Sequence, residues 1–267
     1  MGTLLRMGDD NTNSKKRKSK WNTSYSTMTM AQAEKRLGFR LDLLDEIPVE
    51  EMLGIMASNN RVGDPEAEQL RKTKEEVYRL MARYLRIEGK PTEADSDFKE
   101  TNINHLVFSI LSPILDDFMV SSGRQGLRLR TEKEIVSKDG EAGGTEEVVV
   151  MDRITYEDEK FILVVEAKRS SLGQALKKCL LALKDMGDNS VDGSKVYGFV
   201  TTGKSWQMIE YDGVSFRMTE EMIALFPRMD KDKERWMASY SVVVECIYFA
   251  LSHGGIITKD VVIESDV

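Results

Sequence analysis

The pattern of apolar and polar positions divides the chain into a helical first third and a mixed remainder of helices and strands. Between residues 28 and 92 the apolar side chains recur at helical spacing, which predicts a series of amphipathic helices. Pro65 stands where a first-turn proline would begin the strongest of these, and Gly89 with Pro91 marks its end. No residue of this segment suggests chemistry, so we expect a helical annex, either a cap or a surface for a protein partner.

A second helical pattern begins near Asp97, and a third covers residues 231–252. In the first of these, Glu100 shares the apolar stripe and is therefore predicted to face inward. Pro113 is expected to kink or break that helix, because its ring clashes with the preceding turn. The 231–252 helix is expected to end at Gly254 and Gly255.

Strand-like segments lie between these helices. The run GLRLRTEKEIV is strand-like, and the runs VVVMDRITY and FILVVEA are rich in Val and Ile. Glu157–Lys160 is predicted as the hairpin turn between the last two. A helix follows, and then SKVYGFVTTG and SWQMIEYDGVSFRM predict two or three further strands. The order of helix, three strands, helix and strands predicts an α/β fold in which helices flank a mixed sheet.

Four regions follow from these patterns: residues 1–27, 28–92, 97–255 and 256–267. The first has no apolar periodicity and is expected to be a disordered basic tail, and the last to be a loose acidic one. The run KKRKSK at residues 15–20 is typical of a nuclear-localisation signal or a phosphate-binding arm. Short basic runs also serve as plain solubilising tails, so this alternative stays open.

Composition favours a soluble intracellular protein, nuclear if the source is a eukaryote. The chain has 41% hydrophobic and 31% charged residues, as globular proteins do, and no apolar run approaches the length that spans a bilayer. The polar N-terminus argues against a secretory signal peptide. Cys179 and Cys246 lie in apolar patterns and are predicted to be core residues, whereas His105 and His253 are too isolated to suggest a site.

The net charge of −7 is unfavourable for a nucleic-acid protein, since phosphate binding is largely electrostatic. Residues 1–27 hold six cations against Asp9 and Asp10, which leaves the rest of the chain at −11. This acidity argues against broad nonspecific binding of DNA. A local excess of cations nevertheless follows the run FILVVEA and consists of Lys168, Arg169, Lys177, Lys178 and Lys184.

The strongest candidate for chemistry is the sequence Glu166-Ala167-Lys168 at the end of FILVVEA. Side chains alternate along a strand, so the carboxylate and the ammonium are predicted to share one face. Charged groups seldom end a buried strand without a partner or a function. Asp152 on the neighbouring predicted strand is expected to reach the same point. Two carboxylates and a lysine suit Mg²⁺ or Mn²⁺, with the lysine free to contact a water or a phosphate.

This arrangement resembles the PD-(D/E)XK nuclease superfamily over residues 98–218, in which an Asp on one strand and an E-x-K on the next bind metal and cleave a phosphodiester. The resemblance implies a restriction-endonuclease-like fold, with a Glu on the first helix and a Gln on the later helix contributing to the site. It implies catalytic Asp152, Glu166, Lys168 and Gln174, and metal ligands Asp152, Glu166 and Glu100.

Simpler interpretations of these residues stay open. Glu166 and Lys168 are also explained by a surface ion pair, although the unbroken apolar run before them favours a central strand. Glu100 is also explained by the preference for carboxylates at a helix N-terminus, and Gln174 by an ordinary first-turn position. Met151 stands where the family has a proline, which departs from the family pattern.

Residues 198–205 match the phosphate-loop string G-x-x-x-x-G-K-S. Such a loop must follow a strand and open a helix, so that backbone N–H groups surround phosphates. Here the residues between the glycines resemble a strand themselves, and WQMIEY alternates like another strand. We therefore predict a hairpin turn at Gly203-Lys204.

Two functions are compatible with the sequence. The first is a metal-dependent nuclease acting on DNA, or less favourably on RNA, which the set of Asp152, Glu166 and Lys168 supports. The second is a non-catalytic nuclear interaction or effector protein that keeps the nuclease-like scaffold, which the acidic body supports. No sequence pattern addresses the oligomeric state.

Overall fold

The computed structural model describes residues 20–54, 65–153, 159–170, 172–190 and 193–255. In these residues, helices flank a mixed sheet of nine strands, so the α/β class is confirmed. The strands are β1 (Thr23–Ser24), β2 (Glu46–Ile47), β3 (Leu127–Val136), β4 (Ala142–Arg153), β5 (Glu159–Ala167), β6 (Val196–Thr201), β7 (Ser205–Tyr211), β8 (Phe216–Thr219) and β9 (Met222–Ile223). The helices are α1 (Met30–Leu37), α2 (Val49–Leu53), α3 (Pro65–Ile87), α4 (Glu100–Ser122), α5 (Leu172–Asn189), α6 (Lys233–Ser239) and α7 (Val242–His253).

The strands lie in the order β1-β4-β5-β6-β7-β8-β2, with β3 beside β4 and β9 beside β7. β3, β4 and β5 are mutually antiparallel, and β6 runs parallel to β5 after the crossover through α5. The predicted succession of helix, three strands, helix and strands is thus present as α4, β3, β4, β5, α5 and β6. This places the carboxyl end of β5 between the N-terminal part of α4 and α5.

Two apolar cores lie on opposite faces of the sheet. Alternate residues of β4 divide between them: Val148 and Val150 pack with α4 and α7, whereas Val149 and Met151 pack with α5 and α1. Because both faces of β4 and β5 are covered, these strands need apolar residues at successive positions. The continuous runs in the sequence reflect this double burial.

Two helix predictions need correction. α4 continues through Pro113 as one helix, although the proline removes one backbone donor. The predicted 231–252 helix is instead α6 and α7, separated at Tyr240–Ser241. Among the described helices, α4 alone is long and apolar enough to span a membrane. Eight of its apolar side chains are buried in the core, whereas Phe108 and Val120 are exposed.

Residues 20–27 are ordered, contrary to the expectation of disorder up to residue 27. β1 pairs with the start of β4, and the Tyr25 side chain is fully buried. Space for it exists because position 144 is glycine; a Cβ there would lie 2.4 Å from the Tyr25 ring. The Tyr25 hydroxyl donates a hydrogen bond of 2.6 Å to Asp185 in α5. Residues 1–19, with most of the basic run, and the predicted tail 256–267 lie outside the described residues.

The elements between residues 28 and 92 pack into the same body. α1 contacts α5, α3 contacts α4, and β2 extends the sheet by pairing with β8. The predicted helical annex is therefore continuous with the α/β core in its described parts. Cys179 and Cys246 are buried and unpaired, as predicted for core cysteines.

The phosphate-loop string forms a β-hairpin, as predicted. β6 and β7 are antiparallel, and Thr202 and Ser205 close the turn between them. Gly203 has a positive φ of 79°, a conformation that favours glycine. Because a strand rather than a helix follows, the backbone cannot form the N-terminal helical site that binds phosphates.

Candidate active site

A short stretch of β4 lies between the ends of two other strands. β1 pairs with Ala142 and Gly143, and β5 pairs with β4 only from Val148 onward. β3 occupies the other side of β4 at Gly143, so β1 and β5 must lie on the same side. Residues 144–147 are left between their ends, and we call this stretch the notch.

Side chains satisfy backbone groups in the notch. The Lys178 ammonium donates to the carbonyl oxygen of Thr145 at 2.7 Å. The backbone N–H of Ala167, at the end of β5, donates to the Glu147 carboxylate at 3.1 Å. Buried backbone groups need such partners when no neighbouring strand supplies them. Lys178 and Glu147 therefore also hold the backbone at Thr145 and Ala167 in place.

An outer cluster joins Glu100, Glu147 and Lys168. The Lys168 Nζ donates to Glu100 Oε1 at 2.5 Å and to Glu147 Oε1 at 2.7 Å. α4 contributes Glu100 from its first turn, β4 contributes Glu147, and Lys168 follows β5 directly. Glu100 was predicted to face inward, and this is only partly correct: its side chain contacts Lys168 but is 42% exposed.

A second group, the inner cluster, consists of Glu146, Glu166 and Lys178 and is more deeply buried than the outer cluster. Glu146 and Glu166 are both 0% exposed, and α5 brings Lys178 to them. Lys178 Nζ lies 2.7 Å from Glu166 Oε1 and 3.6 Å from Glu146 Oε2. Both oxygens of Glu146, and Oε2 of Glu166, are buried without a hydrogen-bond partner. Orphaned carboxylate oxygens of this kind are costly, because nothing replaces their hydration.

Burial, neighbouring charges and hydrogen bonds together set the pKa values of the three outer-cluster residues. Burial and the charge of Glu166 raise the pKa of Glu147 to about 7, although the hydrogen bond from Lys168 opposes the shift. Burial acts to lower the pKa of Lys168, but its bonds to Glu100 and Glu147 outweigh burial and raise it. Burial acts to raise the pKa of Glu100, but the hydrogen bond from Lys168 outweighs burial and lowers it. Lys168 is thus a permanent cation at neutral pH.

The inner cluster holds more negative than positive charge. Burial first, and then the charge of Glu166, raise the pKa of Glu146 well above its ordinary value, with Lys178 acting in the opposite direction. Burial acts to lower the pKa of Lys178, but the charges of Glu146 and Glu166 outweigh it and raise the pKa. The Lys178 ammonium therefore faces two buried carboxyls, Glu146 and Glu166. Charge balance requires either a proton on one of them or a second cation beside them.

The two clusters combine four carboxyl groups with two ammoniums. Their four carboxylates and two ammoniums sum to a formal charge of −2. Carboxylate and carbonyl oxygens are the ligands that Mg²⁺ and Mn²⁺ prefer. Among the described residues, no group of three or more Asp, Glu, His or Cys side chains is placed to hold a metal ion. A cation would be held by the Glu146 and Glu166 pair, with water completing its shell.

The structure does not bring Asp152 to this site. Asp152 pairs with Lys160 in the β4–β5 register, six residues from Glu166, or roughly 20 Å at the usual rise of a strand. Its carboxylate accepts two hydrogen bonds from Arg124, at 2.9 and 3.0 Å. Arg124 also donates to the carbonyl of Leu251 at the end of α7. Asp152 thus fixes the position of α7, and the expected cluster of Asp152, Glu166 and Glu100 is not formed.

Glu166 and Lys168 also separate, because they belong to different clusters. The Lys168 ammonium contacts Glu100 and Glu147, whereas Glu166 contacts Lys178. Gln174 is exposed on the first turns of α5, one helical turn before Lys178 and therefore on the same side of the helix.

Sequence reasoning missed Glu146, Glu147 and Lys178 as site residues. A signal was present: two adjacent carboxylates stand immediately before the apolar run VVVM, whereas the candidate Glu166 stands directly after such a run. Lys178 was visible only as one member of a cationic group. Its role becomes apparent once α5 packs on the face of β5 that carries Glu166.

Comparison with known proteins does not identify the chain. No protein-family model matches it, and no curated protein matches it.

Proposed function

We propose that the protein is a divalent-metal-dependent nuclease, a divergent relative of the PD-(D/E)XK superfamily whose first strand carboxylate is Glu146 rather than Asp152. The observation that carries the proposal is the buried pair of Glu146 and Glu166, which leaves three carboxylate oxygens without a hydrogen-bond partner. A protein seldom maintains such a pair unless a cation or a proton occupies it.

The arrangement of elements supports a restriction-endonuclease-like scaffold. α4 precedes three antiparallel strands, and the E-x-K residues stand at the end of the third. α5 then crosses to β6, which is parallel to β5. With Glu146 as the upstream carboxylate, the two acids that would bind the metal are Glu146 in the first half of β4 and Glu166 near the end of β5, and both contact Lys178.

The residues of the inner and outer clusters then have distinct roles. Glu146 and Glu166 hold the cation, which supplies positive charge to a phosphate and lowers the pKa of a bound water. Lys168, a permanent cation, stabilises the negative charge that develops on the phosphate. Glu147 and Glu100 position Lys168 through their hydrogen bonds. DNA is the favoured substrate, with RNA as the second.

A non-catalytic interaction protein is the second candidate. It is favoured by the internal pairing of both ammoniums, since Lys168 and Lys178 each contact two carboxylates as in a structural ion network. The charge of −11 beyond residue 27 points in the same direction.

Cleavage of labelled single-stranded, duplex and branched DNA, and of RNA, separates the two candidates. With Mg²⁺ or Mn²⁺, we expect cleavage by the wild type, which chelation by EDTA should abolish. Glu166→Gln and Lys168→Met should each reduce the rate by about 100-fold or more, the usual effect of removing a group that stabilises the transition state. Glu159→Gln is the matched control on the same strand, because Glu159 pairs with Lys133 outside the notch.

Equal cleavage by the wild type and Glu166→Gln would assign the activity to a contaminant. Failure of every substrate, together with the absence of Mg²⁺ and Mn²⁺ binding, would establish the non-catalytic alternative.

A further inference from the structure

The Lys178 ammonium lies among three oxygen atoms. It is 2.7 Å from the carbonyl oxygen of Thr145, 2.7 Å from Glu166 Oε1 and 3.6 Å from Glu146 Oε2. All three neighbours are oxygen atoms, two from carboxylates and one from the backbone. Carboxylates and backbone carbonyls also make up oxygen-ligand sites for divalent cations.

Lys178 fills this position incompletely. It brings one positive charge to two buried carboxyls, and both oxygens of Glu146 and one of Glu166 stay without a hydrogen bond. Its side chain is 13% exposed, so the ammonium is shielded from water but is close to the surface of the notch. Lysine carries its charge on a flexible four-carbon chain, which allows the ammonium to move while α5 stays in place.

Lys168 is held differently. Its two carboxylate partners, Glu100 and Glu147, are separate from the inner pair, and hydrogen bonds to both fix its position. The two lysines are therefore not equivalent. Lys168 is fixed in the outer cluster, whereas Lys178 lies directly on the carboxylates that are short of positive charge.

We propose that Lys178 is an internal counter-cation that competes with a divalent cation for Glu146 and Glu166 and thereby sets the metal affinity of the site. This inference rests on the proposed metal site. A divalent cation brings twice the charge of the ammonium and accepts more oxygen ligands, so it displaces Lys178 from the pair. Lys178 is thus a residue that determines affinity and cation selectivity, because a monovalent ion gains little by replacing it.

Calorimetric titration of the full chain with MgCl₂ and MnCl₂ tests the proposal. Lys178→Met removes the competing charge, and Lys178→Gln keeps a donor for the Thr145 carbonyl without the charge. Lys184→Met is the matched control, because Lys184 lies on the same helix and pairs with Asp188. We expect both Lys178 variants to bind Mg²⁺ roughly 10- to 100-fold more tightly than the wild type, the range of one charge-assisted hydrogen bond.

Thermal melting provides the second readout. Removal of the ammonium leaves two buried carboxyls without a counter-charge, so the metal-free Tm of Lys178→Met should fall, and Mg²⁺ should raise it more than it raises that of the wild type. Equal or weaker Mg²⁺ binding by the Lys178 variants would overturn the counter-cation proposal and leave the nuclease proposal intact. No binding of either metal by the wild type and by both variants would overturn the metal site itself.

Discussion

Glu146→Gln should stabilise the metal-free protein, although it changes a fully buried residue. Glu146 has no hydrogen-bond partner for either oxygen, and its pKa is raised well above the ordinary value of 4.5 by burial and by the charge of Glu166. The folded protein therefore holds a proton here that the unfolded chain releases. The contribution to stability is complete below pH 4.5 and is lost progressively as the pH rises from 4.5 toward the raised value.

The magnitude follows from the ordinary pKa alone. Keeping a carboxyl of ordinary pKa 4.5 neutral costs roughly 1.4 kcal/mol for each pH unit above 4.5, which sets an upper limit of about 3.5 kcal/mol at pH 7. The amide of Gln is neutral at every pH and removes this cost. Allowing about 1 kcal/mol for imperfect hydrogen bonding of the amide, we expect a net gain of up to about 2.5 kcal/mol at pH 7 and almost none at pH 5.

Urea unfolding at pH 5 and pH 7, in the presence of EDTA, measures this difference. The control Glu159→Gln removes a half-exposed carboxylate whose pKa is lowered by Lys133, and it should change stability by less than about 1 kcal/mol in the opposite direction. In Mg²⁺ the ranking should reverse, because only the wild type gains binding energy from the cation. A loss of stability in Glu146→Gln at pH 7, or a gain that is equal at both pH values, would refute the argument.

Two truncations and one substitution test the remaining structure. Deleting residues 1–19 should leave the Tm unchanged, whereas deleting residues 1–27 removes the buried Tyr25 and should lower stability by about 3–5 kcal/mol; similar melting of both truncations would contradict the packing of this segment. In a eukaryotic cell, the 1–19 deletion should move a fluorescent fusion out of the nucleus, and continued nuclear accumulation would disprove the localisation signal. Asp152→Asn should lower stability by about 1–3 kcal/mol through its lost pairing with Arg124, without changing Mg²⁺ affinity measured by calorimetry. Loss of Mg²⁺ binding at normal stability would instead restore Asp152 to the metal site.

The spacing of apolar residues predicted much of the fold, because it depends on which side chains of a helix or strand are buried. The β-branched runs identified β3, β4 and β5, and the alternation after Gly203 distinguished a hairpin from a phosphate loop. The E-x-K residues were correctly placed at the end of a buried strand, since a carboxylate there breaks an apolar run.

The site could not be completed from sequence because it depends on register. A hairpin turn at Glu157–Lys160 would set Asp152 near Glu166, but β5 already begins at Glu159 and the register shifts again between Val150 and Met151. Such a shift moves a side chain along the strand or to the other face, and no composition signal reports it.

Burial of Tyr25 was equally inaccessible. It stands alone in a polar segment, and its pocket depends on the absence of a side chain at Gly144 and on the distant carboxylate of Asp185. Contacts of this range leave no periodicity in the local sequence.

The packing of β1 can be completed only late in translation. The segment that carries Tyr25 leaves the ribosome early, but its hydrogen-bond partner Asp185 is made 160 residues later. Pairing across such a separation forms slowly, because the chain entropy of a long loop must be lost first. A nascent chain therefore holds Glu146 and Glu166 before it can close the notch around them, and a product that ends before α5 would keep the carboxylates but neither Lys178 nor the anchor for β1.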